Sequence, residues 1–329
     1  RLNVFQSMHN HVRKFFRDEK IIRLMEFPVL FLGATPQKTP ALYSLMNYAD
    51  MVLGTWYPRG GMHKIIEGMM SLAREKGVKF YFDDPVIKLN VKQNQIGEVI
   101  TTSQSYKADF VVGSADYHHI DSELLNNRHR NYSKQYWENR VMSPSSLIFY
   151  LGVNKKIKNL LHHNLFFDED FARHAKEIYE TKKWPENPLF YACVPSKTDD
   201  SVAPEGMENI FLLMPVASGL EDTPEKRAKY FDLILRRLEK YTGETIREHI
   251  TFKRSYAHKD FERDYNAFKG NAYGLANTLM QTAFLKPKMR SKKIKNLFYS
   301  GQLTVPGPGV PPSLISGQIV AEEISKILN

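Results

Sequence analysis

The stretch that most constrains this chain is residues 296–328, NLFYSGQLTVPGPGVPPSLISGQIVAEEISKIL. Leu297, Phe298 and Tyr299 form a short apolar run with strand character, and it stops at Gly301, where the backbone becomes free to turn. A turn rich in Gly and Pro follows over residues 304–312. Gly307 and Gly309 can take positive φ or admit a ligand close to the backbone, while Pro306, Pro308, Pro311 and Pro312 stiffen the loop around them. Proline at the first positions opens a helix. Leu314, Ile315, Gln318, Ile319, Glu322 and Glu323 continue it, with Val320, Ile324 and Ile327 in its apolar stripe. A strand, a turn of bare backbone and a helix N-terminus together suit an anionic or electron-rich ligand. The same order also closes α/β crossovers that bind nothing, so this stretch alone leaves both readings open.

At 329 residues the chain can bury a sizeable core, and two domains or two interleaved ones are expected. The first residue is Arg1 rather than Met, which reads as a fragment, and no secretory signal pattern follows it. The longest apolar runs, such as residues 27–32, are too short to span a bilayer. A single cysteine, Cys193, excludes an internal disulfide and fits a reducing cytoplasm. Within its apolar run it reads as a small core residue rather than a nucleophile. The net charge of +10 invites a nucleic-acid reading. The basic residues are scattered, however, with small clusters at 155–158 and 286–295 and no helix-turn-helix, RNA-binding or zinc-ligand pattern, so no nucleic-acid partner is expected. Attraction to an anionic membrane surface is the better use of such charge, at about 1 kcal/mol per basic residue near the surface. Each cluster by itself reads as a solvated face.

Residues 1–53 read as broken helical pieces, with Val12, Phe15, Phe16, Ile21 and Ile22 among the apolar residues at helical spacing. Such a stripe is normally core, and its density of Phe, Leu and Met also suits the lining of an apolar cavity. Residues 57–61, YPRGG, make a turn. A helix is expected over 62–76, with Ile65, Ile66, Met69, Met70, Leu72 and Ala73 on its buried side and Gly77 at its end. Residues 78–82, 86–91, 99–102 and 108–113 read as short strands. That block looks like part of a nucleotide-binding fold without the Gly-rich opening, since no G-x-G-x-x-G occurs in the chain. Longer strands are expected at 146–153, 189–195 and 209–216, and an amphipathic helix at 224–241 with Thr223 as N-cap. Strands this far apart, with helices between them, suggest a mixed sheet backed by helices.

Sequence spacing names no catalytic residue and no metal site. His118–His119 and His162–His163 are adjacent, and His9 and His11 lie two apart in a helical segment, so each pair is expected to diverge. No carboxylate or cysteine stands beside them at a ligand spacing. Ser114 and Ser300 both end strands, but neither lies in G-x-S-x-G. Asp83–Asp84 and Asp199–Asp200 read as turn residues. Chemistry carried by a cofactor is the enzymatic option that remains.

Several motifs occur together in order: Tyr57-Pro58-Arg59-Gly60-Gly61 with the helix behind it, Ala115-Asp116, Ala203-Pro204-Glu205-Gly206, Asn266-Ala267-Phe268, Gly270-Asn271-Ala272-Tyr273 and Gln281. Residues 301–311 then follow the C-terminal signature G-A-G-T-H-P-G-x-G-I-P-G. In these motifs the chain resembles, nearly end to end, the bacterial-type phytoene desaturases, FAD-dependent carotenoid desaturases of the amine-oxidase-like flavoprotein superfamily. The resemblance implies an α/β fold, the C-terminal part of a two-domain flavoprotein in which a Rossmann-type FAD domain is interleaved with a mixed-sheet and helical substrate domain. In that plan residues 1–56 are a helical part of the substrate domain and 57–116 an FAD-domain segment. Residues 117–290 are the substrate domain, and 291–329 are the C-terminal FAD-domain strand, loop and helix.

The resemblance also implies FAD as cofactor. Gly301 and Thr304 would lie near its ribityl and phosphate side, with Pro306 in the same contact loop and Gly309, Val310 and Pro311 along the ring edge. The Val86 backbone would meet the adenine, and Arg59 would stand near the flavin or the substrate entrance. Gln302-Leu303 and Val305 replace the Ala-Gly and His of the signature, so those contacts are not carried over. The first βαβ, which cradles the FAD pyrophosphate, would precede Arg1, and these residues alone are expected to hold little FAD and to be inactive. The implied reaction is desaturation of phytoene or a partly desaturated intermediate towards lycopene, by hydride transfer to flavin, in a cytoplasmic, peripherally membrane-associated enzyme. The alternative is a hydroxycarotenoid 3,4-desaturase or a related carotenoid isomerase or saturase. From another class, a non-catalytic protein of the same fold that binds an apolar lipid fits the same composition.

Overall fold

A computed structural model describes residues 6–278, 280–282 and 285–329; residues 1–5 of the segment expected to be helical lie outside the described residues. In chain order the strands are β1 (Val86–Lys92), β2 (Gln95–Thr101), β3 (Ser105–Tyr106), β4 (Val111–Gly113), β5 (Ser145–Val153), β6 (His163–Phe166), β7 (Phe190–Cys193), β8 (Glu208–Val216), β9 (Ile250–Tyr256) and β10 (Leu297–Tyr299). The helices are α1 (Met8–Val12), α2 (Glu19–Glu26), α3 (Leu45–Tyr48), α4 (His63–Glu75), α5 (Tyr117–Glu123), α6 (Lys134–Glu138), α7 (Phe171–Tyr179), α8 (Pro224–Thr242), α9 (His258–Tyr265) and α10 (Val310–Leu328). Contacts divide the chain into two units, one of Arg1–Ser44, Tyr81–Pro144 and Asp260–Asn329, the other of Leu45–Phe80 and Ser145–Lys259.

The second unit is built on a five-stranded sheet in the order β6-β7-β8-β5-β9. Leu147, Phe149, Leu151 and Val153 alternate along β5 and are buried. They face Ile210, Leu212, Met214 and Val216 of β8 in one cluster with Phe231, Ile234, Leu235 and Leu238 of α8. Each such side chain contributes about 1.5–3 kcal/mol by leaving water, which makes this face the main source of the unit's stability. Helix α8 starts where expected: Thr223 accepts from the Lys226 N–H, Pro224 occupies the first turn, and Gly243 ends the helix at φ +72°. The sheet itself corrects the expectation of a mixed one. All four of its ladders are antiparallel. A parallel pair needs a crossover, but a helix in the connection does not by itself make one: β6 and β7 are joined through α7 and still pair antiparallel, and β8 comes back beside β5 while β9 takes the other flank. The edge strands β6 and β9, HNLF and ITFKRSY, are too polar to have stood out from the chain.

The first unit holds a three-stranded sheet, β1-β2-β3, and a parallel pair, β10-β4. Asn296 stitches the two together. Its side chain accepts from the Ile96 N–H at 2.8 Å and donates to the carbonyls of Ile96 at 3.0 Å and Asp109 at 3.1 Å. Under β10, Tyr299 stacks on Tyr117 at 3.8 Å between ring centres, and Trp137 packs beside them. The N-terminal segment is helical in short pieces, as its broken period implied.

Three apolar patterns are less buried than their spacing implies. Residues 78–82 form no strand and all are exposed, although the Tyr81 ring lies 5.1 Å from that of Tyr106 in β3. Helix α4 has the expected length, but none of its residues is buried, and Ile66, Met69 and Leu72 are exposed. In α10 only Ser316 and Val320 are buried, while Leu314, Ile315 and Ile327 of the expected apolar stripe face outward.

Candidate functional site

The loop after β10 is fixed from both ends. Tyr299 pairs with Gly113 of β4, and its N–H donates to the Met289 carbonyl at 2.7 Å. The Ser300 N–H continues the ladder to the Gly113 carbonyl at 3.0 Å, and the Ser300 and Ser114 hydroxyls, each at a strand end, lie 3.0 Å apart. Gly301 turns the chain at φ +100°, a value that glycine adopts without strain. Its N–H donates to Ser316 Oγ at 2.8 Å, and that hydroxyl donates in turn to the Ser313 carbonyl at 2.6 Å. Ser316 therefore ties the loop's start to the first turns of α10. Thr304 closes the loop by donating to the Gly301 carbonyl from its N–H at 3.0 Å and from its hydroxyl at 2.8 Å. The Val305–Pro306 peptide is cis, and Gly309, at φ +113°, is the N-cap of α10 with no side chain to offer its first N–H groups. The loop rests on Gly274, at φ +73°, where an added Cβ would come within 3.1 Å of the Gln302 carbonyl oxygen.

Gly301, Thr304, Pro306 and Gly309 thus stand on one loop of the first unit, and Val310 and Pro311 on the first turn of α10 that follows it. Thr304 is fully buried, and its hydroxyl is spent on bracing the loop. Val86 opens β1 in the same unit but in the other sheet, paired with Thr101. Arg59 belongs to the second unit. There the Gly60 N–H donates to Asp199 Oδ2 at 2.7 Å, and the Arg59 guanidinium lies 3.5 Å from the Asp200 carboxylate on the exposed surface. Other motif residues prove to be braces. Asp116 accepts from the N–H groups of His119 and Phe268, both at 3.2 Å, and burial pushes its carboxyl up to about 6. Gln281 bridges Val141, accepting from its N–H at 2.9 Å and donating to its carbonyl at 2.8 Å.

Two buried polar groups at this loop escaped the sequence reading. Lys286 is 2% exposed and Asn277 likewise 2%. Neither the Lys286 ammonium nor Asn277 Oδ1 has a hydrogen-bond partner among the described residues. A Cβ built on Gly307 would lie 3.5 Å from Lys286 Nζ and 3.7 Å from Asn277 Oδ1, so both touch the glycine turn. Burial pushes the Lys286 amine down to about 8. The basic cluster at 286–295 is a solvated face for Lys288, Arg290, Lys292, Lys293 and Lys295, all exposed, and Lys286 is its exception. Nothing in the local spacing sets it apart.

The second unit corrects one histidine expectation. His162 and His163 do not diverge; their rings lie 4.3 Å apart. The β6–β7 register sets Cys193 opposite His163, and the three donor atoms fall within 4.8 Å of one another. Strand alternation does not govern His162, which precedes β6, and a cross-strand partner is invisible to spacing. Hydroxyl groups engage both rings, Thr198 Oγ1 at His162 Nδ1 and the Tyr191 hydroxyl at His163 Nδ1, each at 2.5 Å. Burial pushes the Cys193 thiol up, which keeps it neutral. Elsewhere in this unit a cavity of about 370 Å³ is lined by Phe149, Phe231, Asp222, Arg227, Lys253 and Lys259, among others.

A family model described as flavin containing amine oxidoreductase matches residues 4–325. The chain belongs to that family. Its α/β architecture agrees with an oxidoreductase from Methanosarcina mazei, whose solved structure matches with a TM-score of 0.63 over 96% of this chain and 68% of that one, at 15% identity. At that identity the likeness is one of fold. In sequence the chain is similar to a carotenoid 3,4-desaturase of Haloarcula japonica, 38% identical over 323 residues, covering 98% of this chain and 65% of that protein. It is also similar to a zeta-carotene-forming phytoene desaturase of Myxococcus xanthus, 31% identical over 327 residues, covering 97% of this chain and 62% of that protein. The chain therefore spans somewhat less than two thirds of the length of these curated relatives.

Proposed function

We propose that this protein acts as an FAD-dependent carotenoid desaturase, taking phytoene or a partly desaturated intermediate towards lycopene. The observation that carries the reading is the loop between β10 and α10. Its glycines at 301, 307 and 309 all have positive φ, and beneath Gly307 lie a buried ammonium and a buried amide oxygen without partners. A glycine-rich turn with orphaned buried polar groups against it fits a polar, electron-rich cofactor better than it fits a merely structural turn. Gly301, Thr304, Pro306 and Gly309 on this loop, with Val310 and Pro311 on the first turn of α10, would hold the flavin, Val86 would meet the adenine through its backbone, and Arg59 would stand at the flavin or the substrate entrance. The division into FAD-domain segments at 57–116 and 291–329 and substrate segments at 1–56 and 117–290 belongs to the same proposal.

When bound, the flavin would supply two-electron oxidation, taking a hydride from an allylic carbon while the neighbouring carbon loses a proton to water, so that the C=C bond forms. The chain's own task is to hold an apolar polyene and keep water away. Enclosing such a substrate contributes about 25 cal/mol per Å² buried, so a site of Phe, Leu, Met and Tyr suffices to bind it. The similarity to a carotenoid 3,4-desaturase of Haloarcula japonica favours a second reading, desaturation at the 3,4 position of a carotenoid, for which a hydroxylated carotenoid is the substrate we propose. Incubating the enzyme with FAD and liposomes loaded with phytoene or with a hydroxylated carotenoid decides between them. Growth of long-wavelength polyene absorbance identifies the accepted substrate, and none from either would overturn both readings. No helix among the described residues is long and apolar enough to cross a membrane. The apolar substrate and the net charge of +10 support peripheral attachment to an anionic membrane. Failure to sediment with anionic liposomes at low salt would remove that part of the proposal.

A further inference from the structure

The first turn of α10 is a poorer anion site than its position suggests. Its first three residues are Val310, Pro311 and Pro312, and proline carries no N–H. Among those three only Val310 has a backbone donor. The N–H of Ser313, the next residue, already donates to the Gly309 carbonyl at 3.0 Å. A helix N-terminus attracts anions chiefly through the N–H groups of that turn, so most of the usual means of stabilising negative charge is missing here.

Lys286 stands where that charge could be supplied. It is buried, its Nζ lies against the turn at Gly307, and it has no hydrogen-bond partner among the described residues. An ammonium buried without a counter-charge is unfavourable enough that folds ordinarily pair it, expose it or replace it. Asn277 Oδ1, also buried and unpartnered, touches the same glycine. Two adjacent orphaned polar groups of this kind mark a position completed by something other than the protein. The amine is lowered to about 8 by burial, which leaves it mainly cationic at neutral pH.

We propose that Lys286 is the positioning residue for the electron-rich edge of the flavin ring, the edge that gains negative charge when the ring is reduced, while Asn277 Oδ1, an acceptor, takes a donor of the same ligand. This rests on the flavin reading above. The Lys286 ammonium supplies the positive charge that Pro311 and Pro312 remove from the helix end, and Gly307 lets the loop lie close over it. The same ammonium is chemically suited to a pyrophosphate, so ring and phosphate contacts must be separated by experiment.

The test uses holoenzyme purified from its natural gene, with sulfite as the probe, because its addition to flavin puts negative charge on the ring and bleaches its long-wavelength absorption. Lys286→Met should weaken sulfite affinity by about tenfold or more, the loss expected for a charge-assisted hydrogen bond. Lys286→Arg should restore it, and FAD content should stay near that of the wild type. Should the Met variant fail to fold, Lys286→Gln, neutral but still a donor, is read in the same way. Unchanged sulfite affinity in a folded neutral variant overturns the assignment. Weakened FAD binding with unchanged sulfite affinity overturns it too, in favour of a phosphate contact. A wild-type protein that binds no FAD overturns the flavin reading itself, and the proposal with it.

Discussion

Replacing Lys286 by methionine should stabilise the flavin-free fold, and the size of the gain follows from the position of its amine. Burial lowers the folded-state value from 10.5 to about 8, and no charged neighbour contributes to the shift. Each unit is worth about 1.4 kcal/mol, so below the folded value the native state carries a cost of about 3 kcal/mol. That is a large share of a typical domain stability of about 5–15 kcal/mol. Between the two values the unfolded chain binds the proton and the folded chain does not, so wild-type stability should rise with pH from about 8 and level off above the unfolded value. Methionine has similar length and no charge, so the cost and the pH dependence should both vanish.

Urea denaturation followed by circular dichroism, at pH 7 and again near pH 10.5, measures both. Subtracting one protein's stability from the other's cancels the groups they share. At neutral pH the Met variant should be more stable by about 3 kcal/mol, and the difference should fall towards zero at high pH. A variant less stable than wild type at pH 7, or a difference that does not change with pH, would refute the claim that the ammonium is buried without a partner.

Three further outcomes follow from single contacts. Ser316→Ala leaves the half-buried Gly301 N–H without its acceptor, and denaturation should show a loss of about 1 kcal/mol with weaker FAD retention. Gly274→Ala combines φ +73° with a Cβ 3.1 Å from the Gln302 carbonyl oxygen, so a loss of about 1–2 kcal/mol and a displaced loop, seen as faster proteolysis of residues 301–309, are expected. In the second unit Asp222 accepts from Arg227 Nε at 2.7 Å and from the Lys259 N–H at 3.1 Å. Burial pushes its carboxyl up, but Arg227 and the Lys259 N–H outweigh that and hold it below the ordinary value. Its contribution is present above the unfolded value near 3.8 and disappears as pH falls through the folded one, so wild type should weaken at the acid limb. Asp222→Asn, which leaves Arg227 without its anion, should cost about 3–5 kcal/mol at pH 7 and flatten that limb.

What could be read from the chain was whatever local pattern decides. The strand at Leu297–Tyr299, the helix start at Val310 and the Thr223 cap of α8 all follow from residues within a few positions of one another. What could not be read depends on partners far away in sequence. Cys193 meets His163 through strand register, and Lys286 lies against the turn at Gly307, some twenty residues later in the chain. The motifs were found, yet their roles were not. Asp116 and Gln281 hold backbone in place, and Thr304 spends its hydroxyl on Gly301.

Several unusual features of the first unit meet at the loop after β10. Gly274, Gly301, Gly307 and Gly309 all take positive φ there, and the amine of Lys286 and the amide oxygen of Asn277 are buried without partners. A fold selected for stability alone would remove such features cheaply, by an apolar residue at 286 or a hydrogen-bonding one beside it. The core of the second unit shows the contrast, with apolar residues from β5, β8 and α8 filling one cluster. Where several rules of good packing are broken within one loop, and the loop is nonetheless braced by Ser316, Thr304 and Gly274, the bracing holds a shape that the loop would not choose by itself. That combination is what a preorganised cofactor site requires: rigid backbone, room beside glycine, and a charge kept ready at the cost of stability.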